Sequence, residues 1–140
     1  MKNYRYILFV AFTALVFSSC EEDLDFFSDD PRDAFIGEWK VKEESTLKTN
    51  YYYFVTIEKS ESDSTVVYIN NFYQSGDDYF AIANVSGSSI TIPPQAVSTF
   101  NIQGSGSVSF SGNTINCSYT VDFNNGIDED VATAVFTKEN

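Results

Sequence analysis

From residue 38 onward, apolar and polar residues alternate along the chain with a period of two. The pattern is plain at the start, where Trp39 and Val41 are separated by Lys40 and followed by Lys42. Successive side chains of a β-strand point to opposite faces, so this alternation predicts strands with one buried face. The predicted strands cover residues 38–44, 51–59, 64–72, 78–85, 88–92, 97–103, 107–111, 113–123 and 131–138.

Residues typical of tight turns separate these strands. Gly87 and Gly112 stand between small polar residues, and the polar segment at residues 61–63 predicts a hairpin. The pair Pro93-Pro94 is expected to interrupt the sheet between two strands, because proline has no backbone N–H to donate. The frequent turns, with no amphipathic helix after residue 36 and no repeat of fixed length, predict an all-β fold. We expect an antiparallel barrel or sandwich of about eight strands.

A short helical turn is predicted just before the first strand. Asp30 is suited to cap a helix, Pro31 to occupy its first position, and Asp33 to lie near its positive end. Gly37 can end the turn, so residues 31–36 are expected to form one or two helical turns.

The N-terminal segment has the composition of a bacterial lipoprotein signal. Lys2 and Arg5 precede an apolar run over residues 6–17, and two serines precede Cys20. The run is shorter than the roughly 18 residues that a membrane-spanning helix needs. We therefore predict a signal peptide over residues 1–19 that is cleaved, and a lipid on Cys20 that anchors the protein to a membrane. Ordinary signal cleavage and an uncleaved membrane helix are the alternatives.

Residues 20–29 are acidic and are predicted to form a lipidated tether, so the folded domain is expected to cover residues 30–140. Cleavage after residue 19 removes two of the eight basic residues and none of the twenty acidic ones, so the net charge changes from −12 to −14. Such a surface repels phosphate groups, which argues against nucleic acid as a partner. The membrane link is then the lipid alone, through acyl chains such as palmitate.

Residues that catalysis commonly needs are scarce. The chain has no histidine, which removes Ser-His and Cys-His nucleophiles and imidazole metal ligands. Paired carboxylates occur at Glu43-Glu44, at Asp77-Asp78 and at residues 128–130. Neighbours on a strand point to opposite faces, so they cannot face each other across a substrate bond, and these groups are expected to be solvated. We predict no catalytic residue, no cofactor and no enzymatic activity.

Cys117 and the loop at residues 122–130 are both expected to be structural. With Cys20 lipidated, Cys117 has no disulfide partner, and its place in the alternation predicts a small buried side chain. The loop collects oxygen ligands suited to calcium but lacks the EF-hand spacing, so an ordinary hairpin loop is favoured and no metal is predicted. Its oxygen-bearing residues are Asp122, Asn124, Asn125, Asp128 and Asp130.

Aromatic residues are in surplus around the second strand and the loop near Gly76. Residues 51–54 are four consecutive aromatic residues, so about half of them cannot face the core. Exposed tyrosines are often cross-strand partners, and the functional alternative is a stacking surface for sugar rings or a lining for a small apolar ligand. The predicted ligand-binding residues are Tyr51, Tyr53, Tyr73 and Tyr79, with Asn70, Asn71 and Gln74 as hydrogen-bonding neighbours.

A ligand inside the barrel would require an unfilled interior. A ligand carrier must leave a cavity, whereas a barrel of eight strands can be filled by its own side chains. The side chains predicted to face inward are Trp39, Val41, Phe54, Ile69, Ile82, Ile90, Ile92, Ile102, Ile115, Cys117 and Phe136.

Four segments of the sequence resemble the small lipocalin-like surface lipoproteins of Bacteroidota. They are DPRDAFIGEWKV at residues 30–41, SSITIPPQ at 88–95, GSG at 104–106 and AVFTK at 134–138. The resemblance implies a lipocalin-like barrel closed at one end by a short helix, with Phe35, Trp39 and Lys138 packed together. The acidic residues after Cys20 are also similar to the export signal that places lipoproteins of that phylum on the outer face of the outer membrane.

Two hypotheses of function follow from the sequence. The first is a non-enzymatic, surface-exposed outer-membrane lipoprotein that acts as a binding or accessory module for an extracellular ligand, such as a glycan or a small apolar molecule. The alternative is a structural or protein-interaction component of the cell envelope with a filled barrel. The state of the barrel interior distinguishes the two.

Overall fold

Eight antiparallel strands follow one another around a closed barrel, in the order β1 to β8. This computed structural model describes residues 29–126 and 128–140. β1 pairs with β2 on one side and with β8 on the other, which closes the ring. The strands are β1 Gly37–Ser45, β2 Tyr51–Lys59, β3 Val66–Asn70, β4 Phe80–Ser86, β5 Ser89–Val97, β6 Phe100–Val108, β7 Thr114–Asp122 and β8 Glu129–Lys138. The prediction of an all-β antiparallel barrel of about eight strands is confirmed.

Helical structure among the described residues is limited to two short 3₁₀ turns, Pro31–Ala34 and Phe72–Gln74. The first lies within the helical turn predicted from the sequence. No helix in the described part of the chain has the length and hydropathy of a membrane span. The predicted signal peptide, Cys20 and the tether up to residue 28 lie outside the described residues.

The inward faces of the strands form one hydrophobic core. Phe35, Phe72 and Trp39 are fully buried in it. Nine of the side chains predicted to face inward are buried there: Trp39, Val41, Ile69, Ile90, Ile92, Ile102, Ile115, Cys117 and Phe136. The described side chains thus pack against one another across the interior, as a filled small barrel requires.

Two of the inward predictions are wrong. Phe54 and Ile82 are 50% and 41% exposed on the outer surface. In β2, the ring of Tyr53 takes the inward position next to Phe54, and in β4 the inward positions belong to Ala81 and Ala83. Phe54 and Ile82 thus lie outside although each is more hydrophobic than the inward residue before it.

β5 continues through Pro93-Pro94, contrary to the predicted interruption. Its pairing with β6 shifts register between Ile92 and Gln95, where the prolines have no N–H to donate. The side chain of Gln95 compensates for this loss. Its Oε1 accepts from Ile82 N and its Nε2 donates to Ile82 O, each at 2.7 Å. The side-chain amide therefore takes the place of a backbone pair between β4 and β5.

The predicted strand at residues 107–111 does not exist as a separate element. β6 extends to Val108, and the chain then turns, with Gly112 N donating to Ser109 O at 2.9 Å. Gly112 and Gly87 have φ of 71° and 58° at the predicted turns. Glycine adopts this left-handed region without steric cost, so both turns agree with the sequence analysis.

Two glycines of β6 make room for the side chains of β7. A Cβ on Gly104 would lie 2.6 Å from Ser118 O and still closer to Tyr119, and one on Gly106 would lie 2.5 Å from Cys117 Sγ. Cys117 is buried, as predicted, and this burial raises the pKa of its thiol to about 12. The thiol therefore stays protonated near neutral pH.

The helical turn closes one end of the barrel. Asp30 caps Pro31–Ala34 by accepting a hydrogen bond from Arg32 N at 3.0 Å. The Arg32 guanidinium is buried and donates to the carbonyl oxygens of Ser60 and Asp63 at 3.0 and 2.9 Å. The arginine therefore ties the turn to the loop between β2 and β3. The sequence alone did not predict this role for Arg32.

The contacts expected among Phe35, Trp39 and Lys138 are present at this closed end. Trp39 Nε1 donates to Phe35 O at 2.8 Å, and Lys138 Nζ lies 5.3 Å from the centroid of the Trp39 ring. A cation at this distance is attracted by the face of the indole. The opposite end, which we call the mouth, is formed by the loops at residues 46–50, 71–79 and 98–99 and by the described residues 123–126 and 128 between β7 and β8.

Candidate functional site

Three of the four tyrosines predicted to bind a ligand face the barrel interior at the mouth. Tyr53 and Tyr73 are buried, and Tyr51 lies at the rim, 37% exposed. Tyr79 is 46% exposed on the loop that leads into β4. The four rings therefore do not form one outward stacking surface, because the structure brings three of them to the mouth and leaves the fourth outside.

The mouth holds a buried carboxyl group that sequence analysis expected in solvent. Glu43 is fully buried, and its Oε2 accepts hydrogen bonds from the hydroxyls of Tyr53, at 2.9 Å, and Tyr119. Burial raises the pKa of both tyrosines, so their hydroxyls remain protonated donors. The prediction of a solvated Glu43 is wrong. The signal was in the alternation itself, since Glu43 is in phase with Trp39 and Val41.

A second buried carboxyl group, Asp130, lies at the start of β8. Its Oδ2 accepts from Tyr73 Oη at 2.6 Å, and its Oδ1 accepts from Thr46 Oγ1 at 2.8 Å and from Leu47 N at 3.0 Å. Burial acts to raise the pKa of Asp130, but the hydrogen bonds outweigh it and hold the pKa below its ordinary value. Asp130 thereby ties β8 to the loops at residues 46–50 and 71–79.

Replacing Asp130 with asparagine is expected to destabilise the protein near neutral pH and to do so less in acid. A depressed carboxyl pKa gives stability that is present above the unfolded-state value, about 4, and is lost as the pH falls through the folded-state value. The free energy of unfolding of wild type and Asp130→Asn should therefore converge as the pH falls from about 7 toward about 3. Urea denaturation measures this, with the exposed Glu61→Gln as control. If the difference in the free energy of unfolding between wild type and Asp130→Asn stayed constant with pH, this would contradict a stabilising role of the ionised Asp130 carboxyl group.

The oxygen-bearing side chains of the loop at residues 122–130 do not all point to the same side of the barrel wall. Asp122 and Asp128 are exposed, whereas Asp130 points into the barrel and is engaged there. Across residues 29–126 and 128–140, no three acidic or thiol side chains converge on a possible metal position. The loop has the hydrogen bonds of a turn, in which Asp128 N donates to Asn125 Oδ1 at 2.9 Å.

The loop that carries Tyr73 into the barrel has an unusual backbone. Asn71, Tyr73 and Gln74 have φ of 60°, 55° and 60°. Asparagine tolerates this left-handed region, but a bulky residue there costs of order 1–3 kcal/mol and persists only when its surroundings hold it. The backbone directs Tyr73 inward to Asp130 and Gln74 outward, where Gln74 Oε1 accepts from Tyr51 Oη at 2.6 Å. Such strain is typical of functional loops.

A groove on the outer surface lies beside this loop. We define the outer groove by its lining residues, Glu38, Tyr52, Tyr53, Phe54, Thr56, Asn70, Asn71, Gln74 and Asp77. Its volume of about 470 Å³ is within the range of small-molecule sites. Strand register builds it, because Glu38 of β1 pairs with Thr56 of β2, which pairs in turn with Asn70 of β3.

The outer groove combines exposed rings with uncommitted polar atoms. Tyr52 and Phe54 are 54% and 50% exposed and point away from the core. Asn70 Nδ2 donates to Thr56 O at 3.2 Å, but Asn70 Oδ1 and Gln74 Nε2 make no hydrogen bond to any described residue. The exposed rings of the groove, Tyr52 and Phe54, thus alternate along β2 with the predicted Tyr51 and Tyr53, whose side chains point to the other face.

Comparison with known proteins adds no assignment to either site. No protein-family model matches this chain, and no curated protein matches it. The interpretation of the mouth and of the outer groove therefore depends on the chemistry of their own residues.

Proposed function

We propose that this protein is a non-enzymatic binding module for an extracellular glycan, which it holds in the outer groove. The observation that carries the proposal is the presence of two exposed rings, Tyr52 and Phe54, beside polar groups in one groove. A sugar ring has an apolar C–H face that packs on an aromatic ring, and hydroxyl groups that need hydrogen-bonding partners. The interior positions are taken by the core, which argues against a carrier that holds its ligand inside the barrel and is what the alternative hypothesis expects. A binding module with this interior must hold its ligand on the outer surface, where the outer groove lies.

Hydrogen-bonding partners of both kinds line the outer groove. Asn70 Oδ1 and the carboxyl groups of Glu38 and Asp77 accept, and Gln74 Nε2 donates. The hydroxyl groups of Tyr52 and Thr56 can both donate and accept, so the groove as a whole suits a ligand rich in hydroxyl groups. The net charge of −12 disfavours an anionic ligand as well. A neutral glycan therefore fits the groove better than an acidic polysaccharide.

We further propose that a lipid on Cys20 anchors the module to the outer membrane, facing the cell exterior. The support is the order of a basic and apolar leader, Cys20 and an acidic run in the sequence. The chain enters the barrel at the closed end, through Pro31–Ala34. A tether attached there would leave the mouth on the side away from the membrane.

Contact with a protein of the cell envelope is a second candidate function. Outward side chains of β3 and β4 form an apolar patch of Tyr68, Phe80 and Ile82, in which the centroids of the two rings are 4.9 Å apart. Exposed apolar patches often mark protein interfaces. The outer groove is preferred as the primary site because it joins apolar surface to directed hydrogen-bonding groups.

Changing both Tyr52 and Phe54 to alanine is expected to weaken glycan binding at least tenfold, or about 1.4 kcal/mol. The purified protein is screened on an array of neutral and acidic glycans, and calorimetry then compares its affinity for the best ligand with that of each variant. Ile82→Ala is the matched control, because it removes an exposed apolar side chain outside the outer groove. Its affinity should equal that of the wild type.

Two results would count against the outer groove. If the double variant binds the glycan as tightly as wild type, the ligand lies elsewhere on the protein. If no glycan on the array binds, the protein-contact candidate is favoured, and crosslinking on intact cells with wild type and Ile82→Ala then tests the patch on β3 and β4.

A further inference from the structure

At the mouth, the ammonium group of Lys48 lies among aromatic rings and a carboxyl group. Lys48 Nζ is 3.7 Å from the centroid of the Tyr73 ring and 5.1 Å from that of Tyr51. It is also 4.0 Å from Glu43 Oε1. A cation within about 6 Å of a ring face is attracted to it, and two rings with a carboxyl group form a cage for an organic cation. We call these three residues around Lys48 the cation cage.

Glu43 Oε1 is the incompletely satisfied atom of the cation cage. It is buried and accepts no hydrogen bond from any described residue. Lys48 Nζ, at 4.0 Å, is beyond hydrogen-bond distance. An unsatisfied buried acceptor is unfavourable, so an ammonium group that approached Glu43 more closely than Lys48 does would be bound favourably.

Lys48 is anchored in its loop by its backbone. Lys48 N donates to Ser45 Oγ and Lys48 O accepts from Ser45 N, both at 2.9 Å. Thr46, which donates to Asp130, fixes the same loop to β8. The side chain of Lys48 is 31% exposed and ends a flexible four-carbon stem. The ammonium group can therefore leave the cation cage while the loop keeps its place.

We propose that the mouth binds the ammonium group of a small organic amine, which displaces Lys48 from the cation cage. The ligand's ammonium group donates to Glu43 Oε1 and lies against the rings of Tyr51 and Tyr73. An anion is disfavoured there by two buried carboxyl groups, those of Glu43 and Asp130. The site is inside the mouth, so it is separate from glycan binding in the outer groove and does not depend on it.

Titration with n-butylammonium chloride tests the proposal, because this ligand copies the stem and charge of lysine. Backbone amide shifts of Tyr51 and Tyr73 are followed by NMR in the ¹⁵N-labelled protein at constant ionic strength, with sodium chloride and 1-butanol as control ligands. We expect saturable shifts in wild type and a dissociation constant at least tenfold lower in Lys48→Ala, where no side chain must be displaced. The variant Lys48→Ala/Glu43→Gln should lose this binding.

Three results would overturn the proposal. The first is that wild type shows no saturable shift. The second is that wild type and Lys48→Ala bind n-butylammonium with equal affinity. The third is that Lys48→Ala/Glu43→Gln binds it as tightly as Lys48→Ala does. Glutamine keeps an oxygen acceptor for Tyr53 and Tyr119, and circular dichroism checks that the variant is folded. If it is not folded, Tyr51→Ala replaces it, since Tyr51 lies at the rim. Tyr51→Ala should weaken binding severalfold, and unchanged binding would contradict the cation cage.

Discussion

Truncation of Trp39 to alanine is expected to lower the free energy of unfolding by about 3–5 kcal/mol. The side chain is fully buried at the closed end, so its loss leaves a large cavity. It also leaves the carbonyl of Phe35 without the indole donor, and Lys138 without the ring beneath it. A domain of this size has about 5–15 kcal/mol of stability in total, so urea denaturation should show a large fall in the midpoint.

Two other variants separate the causes of this effect. Lys138→Ala removes only the cation above the ring and should cost about 0.5–1 kcal/mol. Leu47→Ala removes an apolar side chain that is 55% exposed and should change the stability by less than about 0.5 kcal/mol. If Trp39→Ala were no more destabilising than Lys138→Ala, the closed end would not depend on indole packing.

Addition of a single methyl group at Gly104 is expected to destabilise the barrel by about 3 kcal/mol, at the upper end of the range for overpacking. The new Cβ would lie 2.6 Å from Ser118 O and would also meet Tyr119. The obstructing atoms belong to the backbone and Cβ of β7, so no rotamer change relieves the contact. β6 and β7 must separate, and this moves the Tyr119 hydroxyl away from Glu43.

Ser105→Ala is the matched control for Gly104→Ala. Ser105 is the next residue of β6, and its exposed side chain points outward. Its replacement should leave the free energy of unfolding within about 0.5 kcal/mol of the wild-type value. Equal midpoints for Gly104→Ala and Ser105→Ala in guanidinium denaturation would show that β6 and β7 separate without cost.

The bounds of β2 were predicted correctly, because polar turn residues flank this strand on both sides. The errors at Phe54 and Ile82 are errors of phase. In each case the preceding residue, Tyr53 or Ala81, faces inward although it is less hydrophobic, so choosing the more hydrophobic residue selects the wrong face.

Most of the contacts in the two candidate sites could not be predicted from the sequence. The mouth requires a hydrogen bond between Glu43 of β1 and Tyr119 of β7. These two strands lie on either side of β8, so the contact forms only when the sheet closes. It also requires the left-handed backbone at Tyr73, which the sequence does not signal because the loop's glycine is Gly76 and residues 71–75 contain none. Only the inward position of Glu43 could have been predicted, because Glu43 alternates in phase with Trp39 and Val41 along β1.

The outer groove and the mouth share one hydrogen bond across β2. Tyr51 Oη, at the rim of the mouth, donates to Gln74 Oε1, which belongs to the outer groove. The two sites therefore lie on opposite faces of one strand and meet at its end. Each site can bind its ligand without the other, and glycan affinity measured with and without n-butylammonium tests whether this shared hydrogen bond couples them.

The order of the strands around the barrel also determines how the chain can assemble. Seven of the eight strand pairings join neighbours in sequence, and these hairpins form with little loss of chain entropy. The pairing of β1 with β8 is different, because it brings together residues such as Glu43 and Ala134, which are about 90 positions apart. Among the strand pairings of the described residues, only the closure between β1 and β8 is long-range, and the rate of folding should depend chiefly on it.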